Sequence, residues 1–79
     1  MTGEEIKEKT ESFLKKYIKK KITADDNLFA SGLLNSLFAM QLVLFVEKEF
    51  GIKVENQDLD LKNFNSINAV TGFVQRKIG

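Results

Sequence analysis

The chain has 79 residues, 43% hydrophobic and 29% charged, with a formal net charge of +1, a composition that describes one small globular domain and not a disordered segment. Cysteine and histidine are both absent, which excludes disulfides, thiol chemistry from the protein itself, a Ser-His or Cys-His nucleophile pair and the usual zinc site. The 11 acidic residues are not grouped at the spacing of a calcium loop, so the composition argues against an enzyme and against a metal protein, and nominates no catalytic or metal-ligating residue.

The near-neutral balance hides an asymmetry. Residues 1–23 hold seven lysines against four glutamates, a local charge of +3, whereas residues 24–79 sum to −2. The N-terminus opens on Glu4 and Glu5 with no apolar run, so no signal peptide is visible, and no apolar stretch has the length of a bilayer span. The expectation is a cytoplasmic protein with no membrane partner.

Thr2-Gly3-Glu4-Glu5 has the form of a capping box, with Thr at the cap and Glu three positions on. Ile6, Thr10, Phe13, Leu14, Tyr17 and Ile18 then repeat at three and four, predicting an amphipathic helix of about four turns or more. Its glutamates come early and its lysines late, the order that suits the helix dipole. The cluster Lys15, Lys16, Lys19, Lys20 and Lys21 reads as a solvated helix end. A nucleic-acid surface is disfavoured, because arginine is nearly absent and no aromatic residues interleave the lysines; contacts with a partner protein are the remaining reading.

Residues 21–35 form a long connection. Asp25-Asp26-Asn27 and Ser31-Gly32 are turn chemistry, while Leu28 and Phe29 between them are apolar anchors of a loop that packs over the core. Such a length suits a crossing between helices that are not simple hairpin neighbours. Leu33-Leu34 then pins the chain just ahead of Ser36.

At Asn35-Ser36 a polar turn gives way to a long apolar helix, Ser36 to Phe50, free of Gly and Pro. One reading of Asn35-Ser36 is simple capping, since a side-chain oxygen there can accept from a free backbone N–H one turn on. The helix itself has three apolar faces. Ala39, Leu42, Val43, Val46 and Phe50 make the predicted core face; Leu37, Met40 and Leu44 make a second; Phe38 and Phe45, with Gln41 between them, make a third. A helix apolar nearly all round is either buried or meets a partner, and a chain this small cannot bury it on every side. Some of this surface beside Ser36 is therefore expected to be exposed, with plain core packing the alternative for Met40 and Leu44.

Gly51 is placed to end this helix. Ile52-Lys53-Val54 reads as an extended link with Ile52 and Val54 inward, Asp58 to Phe64 as a short helix or helical turn, and Asn65-Ser66 as a cap. Ile67, Val70, Phe73, Val74 and Ile78 mark a last amphipathic helix, with Gly72 inside it at a cost of about 1 kcal/mol against Ala. The sum is an all-α domain over residues 1–79: a small four-helix bundle of three long helices and one short.

The residues around Ser36 carry a wider likeness. Leu28-Phe29, Gly32-Leu33-Leu34, Asn35-Ser36-Leu37, Glu47-Lys48-Glu49-Phe50-Gly51-Ile52, Phe64, Ile67 and Ala69-Val70 together resemble the acyl carrier protein family, over about Glu4 to Ile78. That family carries a serine in an Asp-Ser-Leu motif at the start of its second helix, and Asn35-Ser36-Leu37 stands at that place. The resemblance implies the acyl-carrier type of bundle and a non-enzymatic role. Ser36 would bear 4′-phosphopantetheine from coenzyme A, attached by a phosphodiester, and acyl or aminoacyl intermediates would ride on the cofactor's thiol as thioesters. It further implies a phosphopantetheinyl transferase, an acyl-loading ligase or transferase and downstream synthase or tailoring enzymes as partners of a monomeric carrier, with no nucleic acid involved. Asn35, Leu37, Met40, Leu44, Glu47 and Lys48 would make the partner-binding surface, an apolar patch with a charged rim of Glu47, Lys48 and Glu49 that suits a transient interface.

Two departures from the family pattern bear on the pathway. Asn35 replaces the usual Asp, and Phe38, Gln41 and Phe45 occupy a helix that is commonly acidic in fatty-acid carriers. The run Leu33 to Val43 resembles free-standing carriers of specialised pathways, such as those holding alkoxymalonyl or aminoacyl units, within a field that also includes fatty-acid-like and polyketide biosynthesis. The rival from another class is a helical interaction module without a covalent cofactor, gripping a partner helix with the exposed apolar face.

Overall fold

The computed structural model describes residues 2–19, 21–29 and 35–78. Three α-helices, α1 (Gly3–Lys15), α2 (Ser36–Phe50) and α3 (Ile67–Ile78), are joined by irregular chain in which two single 3₁₀ turns occur, Asn56–Asp58 and Leu61–Asn63. No strand is present among the described residues, and no helix there is long and apolar enough to cross a membrane.

Local chemistry sets each helix end. The Thr2 side chain accepts from the Glu5 N–H and the Glu5 carboxylate accepts from the Thr2 N–H at 3.0 Å, the reciprocal capping box that the sequence predicts. The first helix is shorter than expected, with Lys16 as its C-cap, but Ile18 still donates its N–H to the Leu14 carbonyl at 2.8 Å. That extra turn keeps Ile18 buried. Gly51 ends α2 at φ 64°, a left-handed conformation open to Gly. At α3 the Ser66 hydroxyl accepts from the Ala69 N–H at 3.0 Å, as a cap should.

Between α2 and α3 the chain takes the second of the two forms expected there, helical turns and not a short fourth α-helix. Its polar side chains compete with helical hydrogen bonding: Asp58 accepts from the Glu55 N–H at 3.0 Å, Asp60 from the Lys62 N–H at 2.9 Å, and Asn63 donates to the Asp58 carbonyl at 2.9 Å. The result is two separate 3₁₀ turns in place of one α-helix.

The core draws on all three helices and the connections. Ile6 and Leu14 from α1, Leu42 and Val46 from α2, and Val70 and Val74 from α3 are fully buried, with Leu28 and Phe64 from the connections beside them. The predicted face of α2 is the buried one, with Ala39 half-buried at its edge. Ile78, expected on the core face of α3, is exposed.

Helices α1 and α2 run antiparallel. Lys9 meets Glu49 at 3.1 Å, Phe13 stacks on Phe45 at 4.2 Å between ring centroids, and Tyr17 meets Phe38 edge-on at 4.9 Å. The C-terminal end of α1 therefore shares one end of the bundle with the N-terminal end of α2. They face each other through side chains while α1 packs its backbone more closely against α3, so they are not simple hairpin neighbours, and the connection between them is long because it detours to the head of α3. Leu28 donates its N–H to the Asn65 carbonyl at 2.7 Å, and the Asn68 N–H reaches the Ala24 carbonyl at 3.0 Å. Leu28 is buried and Phe29 half-buried, as loop anchors. Leu33-Leu34, expected to pin the chain ahead of Ser36, lies outside the described residues, as do Ser31, Gly32 and Lys20.

Candidate functional site

The head of α2 decides between the two roles available to Asn35 and Ser36. Asn35 is the cap: its backbone is extended (φ −119°, ψ −178°), its side-chain oxygen accepts from the Phe38 N–H at 3.0 Å, and its carbonyl accepts from the Ala39 N–H at 3.0 Å. Ser36 is the first helical residue and is exposed. With capping done by its neighbour, its hydroxyl has no hydrogen-bond partner among the described residues. The first-turn N–H groups of Ser36 and Leu37 precede the intrahelical ladder and face outward with the positive end of the helix dipole, and no acidic residue stands in that turn.

The flanks of Ser36 differ in chemistry. Leu37, Met40 and Leu44 are 74%, 53% and 56% exposed, so the core-packing alternative for Met40 and Leu44 does not hold. Leu59, 50% exposed, extends this patch from the connection after α2. The sequence reading did not single it out, since no periodicity links a residue between two turns to a helix face. Beneath the patch, Ala39, Met40, Val43, Leu59, Asp60 and Phe64 line a cavity of about 160 Å³. The third apolar face is covered: Phe38 and Phe45 are half-buried against Phe13 and Tyr17 of the α1 side.

The charged rim is thinner than expected. Glu47 is half-buried, and its carboxylate accepts from the Val54 N–H at 2.8 Å, fastening the chain after Gly51 back onto α2. Glu49 is paired with Lys9 at 3.1 Å. Lys48 is exposed. The structure thus brings Asn35, Ser36, Leu37, Met40, Leu44 and Lys48 onto accessible surface of one helix and gives Glu47 a structural bond. Among the described residues no group of acidic side chains is placed to hold a metal ion.

Comparison with known proteins agrees with this geometry. Residues 4–74 match the family model described as the phosphopantetheine attachment site. The chain is 34% identical over 55 residues to a D-alanyl carrier protein of Leuconostoc citreum, covering 70% of each chain. It is 33% identical over 55 residues to a D-alanyl carrier protein of Leuconostoc mesenteroides, again covering 70% of each, and 32% identical over 53 residues to one of Lactococcus lactis, covering 67% of each. The chain therefore belongs to the phosphopantetheine-binding carrier family: it is a non-catalytic protein that carries 4′-phosphopantetheine and works with a phosphopantetheinyl transferase and with ligase or transferase partners.

Proposed function

We propose that Ser36 is the residue to which 4′-phosphopantetheine is attached, and that the cargo is a short aminoacyl group presented to partner enzymes in a specialised pathway in the cytoplasm. The observation that carries the attachment is the division of labour at the head of α2: Asn35 caps, and the Ser36 hydroxyl is left exposed and unbonded.

The residues present fit the group. A phosphodiester on the Ser36 oxygen would sit beside the first-turn N–H groups at the positive end of the dipole, with no carboxylate in that turn to repel it. When bound, the cofactor supplies a terminal thiol on a flexible arm, on which a carboxylic acid is held as a thioester. The chain's own residues do the rest. Asn35 fixes the helix start and so the position of the Ser36 oxygen. Leu37, Met40 and Leu44 offer an apolar docking patch to a partner, and Lys48 a charge at its far edge. The base that activates the hydroxyl would belong to the transferase.

The relatives' printed name, D-alanyl carrier protein, supports the short aminoacyl reading of the cargo. A helical module without a cofactor is not favoured, because the exposed patch lies beside an accessible serine in a chain of the carrier family.

Intact-mass measurement after incubation with coenzyme A and a broad-specificity phosphopantetheinyl transferase tests the attachment. One phosphopantetheinyl group is gained by the wild type and none by Ser36→Ala. Gain by Ser36→Ala would move the site to another serine, such as Ser12; Ser66 is occupied in capping α3.

A further inference from the structure

The cavity beneath Met40 lies on the serine's own face of α2. At about 100° per residue, Ala39, Val43 and Met40 stand about 60°, 20° and 40° around the helix from Ser36, on either side of it, whereas Leu37 stands about 100° away. Along the axis Met40 is about 6 Å and Val43 roughly 10 Å from Ser36. Helical side chains lean toward the N-terminus, which brings both nearer to the serine. Ala39, Met40 and Val43 form the α2 wall of this cavity of about 160 Å³, and Leu59 and Phe64 of the connection after α2 complete it, with Asp60 at its border.

The wall supplied by the connection is held by local bonds. Leu59 is the centre of an inverse γ-turn (φ −79°, ψ 64°), closed by the Asp60 N–H on the Asp58 carbonyl at 2.8 Å. Asp58 is tied to Lys77 of α3 at 2.6 Å. Phe64 is buried against Phe73, with 5.1 Å between ring centroids. The Asp60 carboxylate accepts the Lys62 N–H at 2.9 Å, and every other lining residue is apolar. Met40 and Leu59 nevertheless remain exposed, so apolar surface is left there for a further group to cover.

Resting on the attachment at Ser36, we propose that this cavity seats the apolar root of the phosphopantetheine arm, the paired methyl groups of its pantoyl unit, against Met40, Val43 and Leu59. Reach and chemistry select this occupant. The carbon that bears the paired methyls stands only a few bonds beyond the phosphate, and the cavity begins one helical turn from the serine. Farther out the arm carries amides, and an aminoacyl cargo adds an ammonium; burying such groups unpaired between apolar walls is costly. Tethering presents the methyls to the cavity at an effective concentration on the order of millimolar, so a weak contact suffices. With its root seated, the arm keeps its thiol end outside, where partner enzymes act on it.

Intact mass comes first. One phosphopantetheinyl group gained by the wild type and none by Ser36→Ala establishes the attachment; a wild type that gains none overturns that reading, and this one with it. NMR of the phosphopantetheinylated protein, its thiol free of cargo, then tests the seat. The chain has two methionines, so isotope-labelled methionine methyls report on Met40 with little overlap, and Met40→Leu assigns its signal. The expected result is nuclear Overhauser effects from the paired methyls of the arm to the Met40 and Leu59 methyls, with both signals shifted from their positions in the unmodified protein. Leu59→Asn, a change at an exposed position that leaves the core intact, weakens the effect at Met40. Paired methyls that show no contact with the protein, contacts confined to Leu37, or contacts at Met40 from the thiol end of the arm alone would each overturn the seat while leaving the attachment standing.

Discussion

The side-chain oxygen of Asn35 accepts the Phe38 N–H at 3.0 Å, and this bond leaves the Ser36 hydroxyl free for chemistry. A neutral cap serves the helix as well in geometry as a carboxylate would, without its charge. Asn35→Ala is expected to cost about 1 kcal/mol in stability. Asn35→Asp keeps the bond and adds a negative charge at the positive end of the dipole, for a gain of roughly 0.3–1 kcal/mol in the unmodified protein. Urea unfolding of the three proteins orders them; Asp below Asn would contradict the capping geometry.

Leu37 and Leu42 stand in opposite environments on one helix, the first exposed and the second fully buried. Leu42→Ala should lose about 2–5 kcal/mol to transfer and cavity terms. Leu37→Ala should stay within about 0.5 kcal/mol while lowering the rate at which a transferase modifies Ser36. Thermal melts and modification rates on the same samples separate the two effects.

Thr10 is fully buried and its hydroxyl has no hydrogen-bond partner among the described residues. Thr71, also buried, donates to the Ile67 carbonyl at 2.8 Å. Thr10→Val removes an unsatisfied polar atom at nearly constant volume and is expected to stabilise by about 1 kcal/mol. The same change at Thr71 surrenders a made bond and should bring no such gain. Equal shifts in the two urea midpoints would count against the packing described.

Gly72 lies inside α3, and a Cβ there would meet only the Arg76 guanidinium, at 3.6 Å. There is room for a methyl group, so close packing is not the reason for the glycine. Gly72→Ala should gain up to about 1 kcal/mol, which for a domain of this size raises Tm by roughly 4–8 °C; scanning calorimetry reads it directly.

Two carboxylates make stability depend on acid. The Lys77 ammonium, 2.6 Å from Asp58, and then the Glu55 N–H hold the Asp58 carboxyl below its ordinary value of 3.8. The Thr2 backbone N–H and then its hydroxyl hold Glu5 below its ordinary 4.5. Both groups are more acidic folded than unfolded. Their stabilisation is therefore fully present above about pH 5 and drains away as the pH falls from the ordinary values through the lower folded ones. Asp58→Asn should be less stable than wild type at pH 7, with the gap narrowing as the pH falls through and below the ordinary value of 3.8. A gap of constant size across a urea series in pH would refute the linkage.

Much of the architecture was written in local chemistry. Thr2 and Glu5, Gly51 and Ser66 mark their own helix ends, and the spacing of Leu42, Val43, Val46 and Phe50 names the buried face of α2. Periodicity gives the angle of a residue about its helix but not what stands opposite. It could not say that Phe38 and Phe45 would be roofed by Phe13 and Tyr17 while Leu37, Met40 and Leu44 stayed bare. Nor could it divide the roles of Asn35 and Ser36, because both residue types cap helices and only the backbone shows which of them precedes the first turn. Glu47 was misplaced for a similar reason: a carboxylate near a helix end looks solvent-facing until the returning chain offers it the Val54 N–H. At Asp58 and Asp60, side-chain bonds to the backbone outweighed helix propensity, and two turns formed in place of a short fourth helix.

The edge-on packing of Tyr17 against Phe38 has a practical side. It is the only tyrosine in a chain without tryptophan, and its ring touches the third residue of the helix that begins with Ser36. Tyrosine emission from this protein therefore arises from a ring packed on the first turn of α2, so an unlabelled sample carries its own optical gauge of order at that end of the bundle.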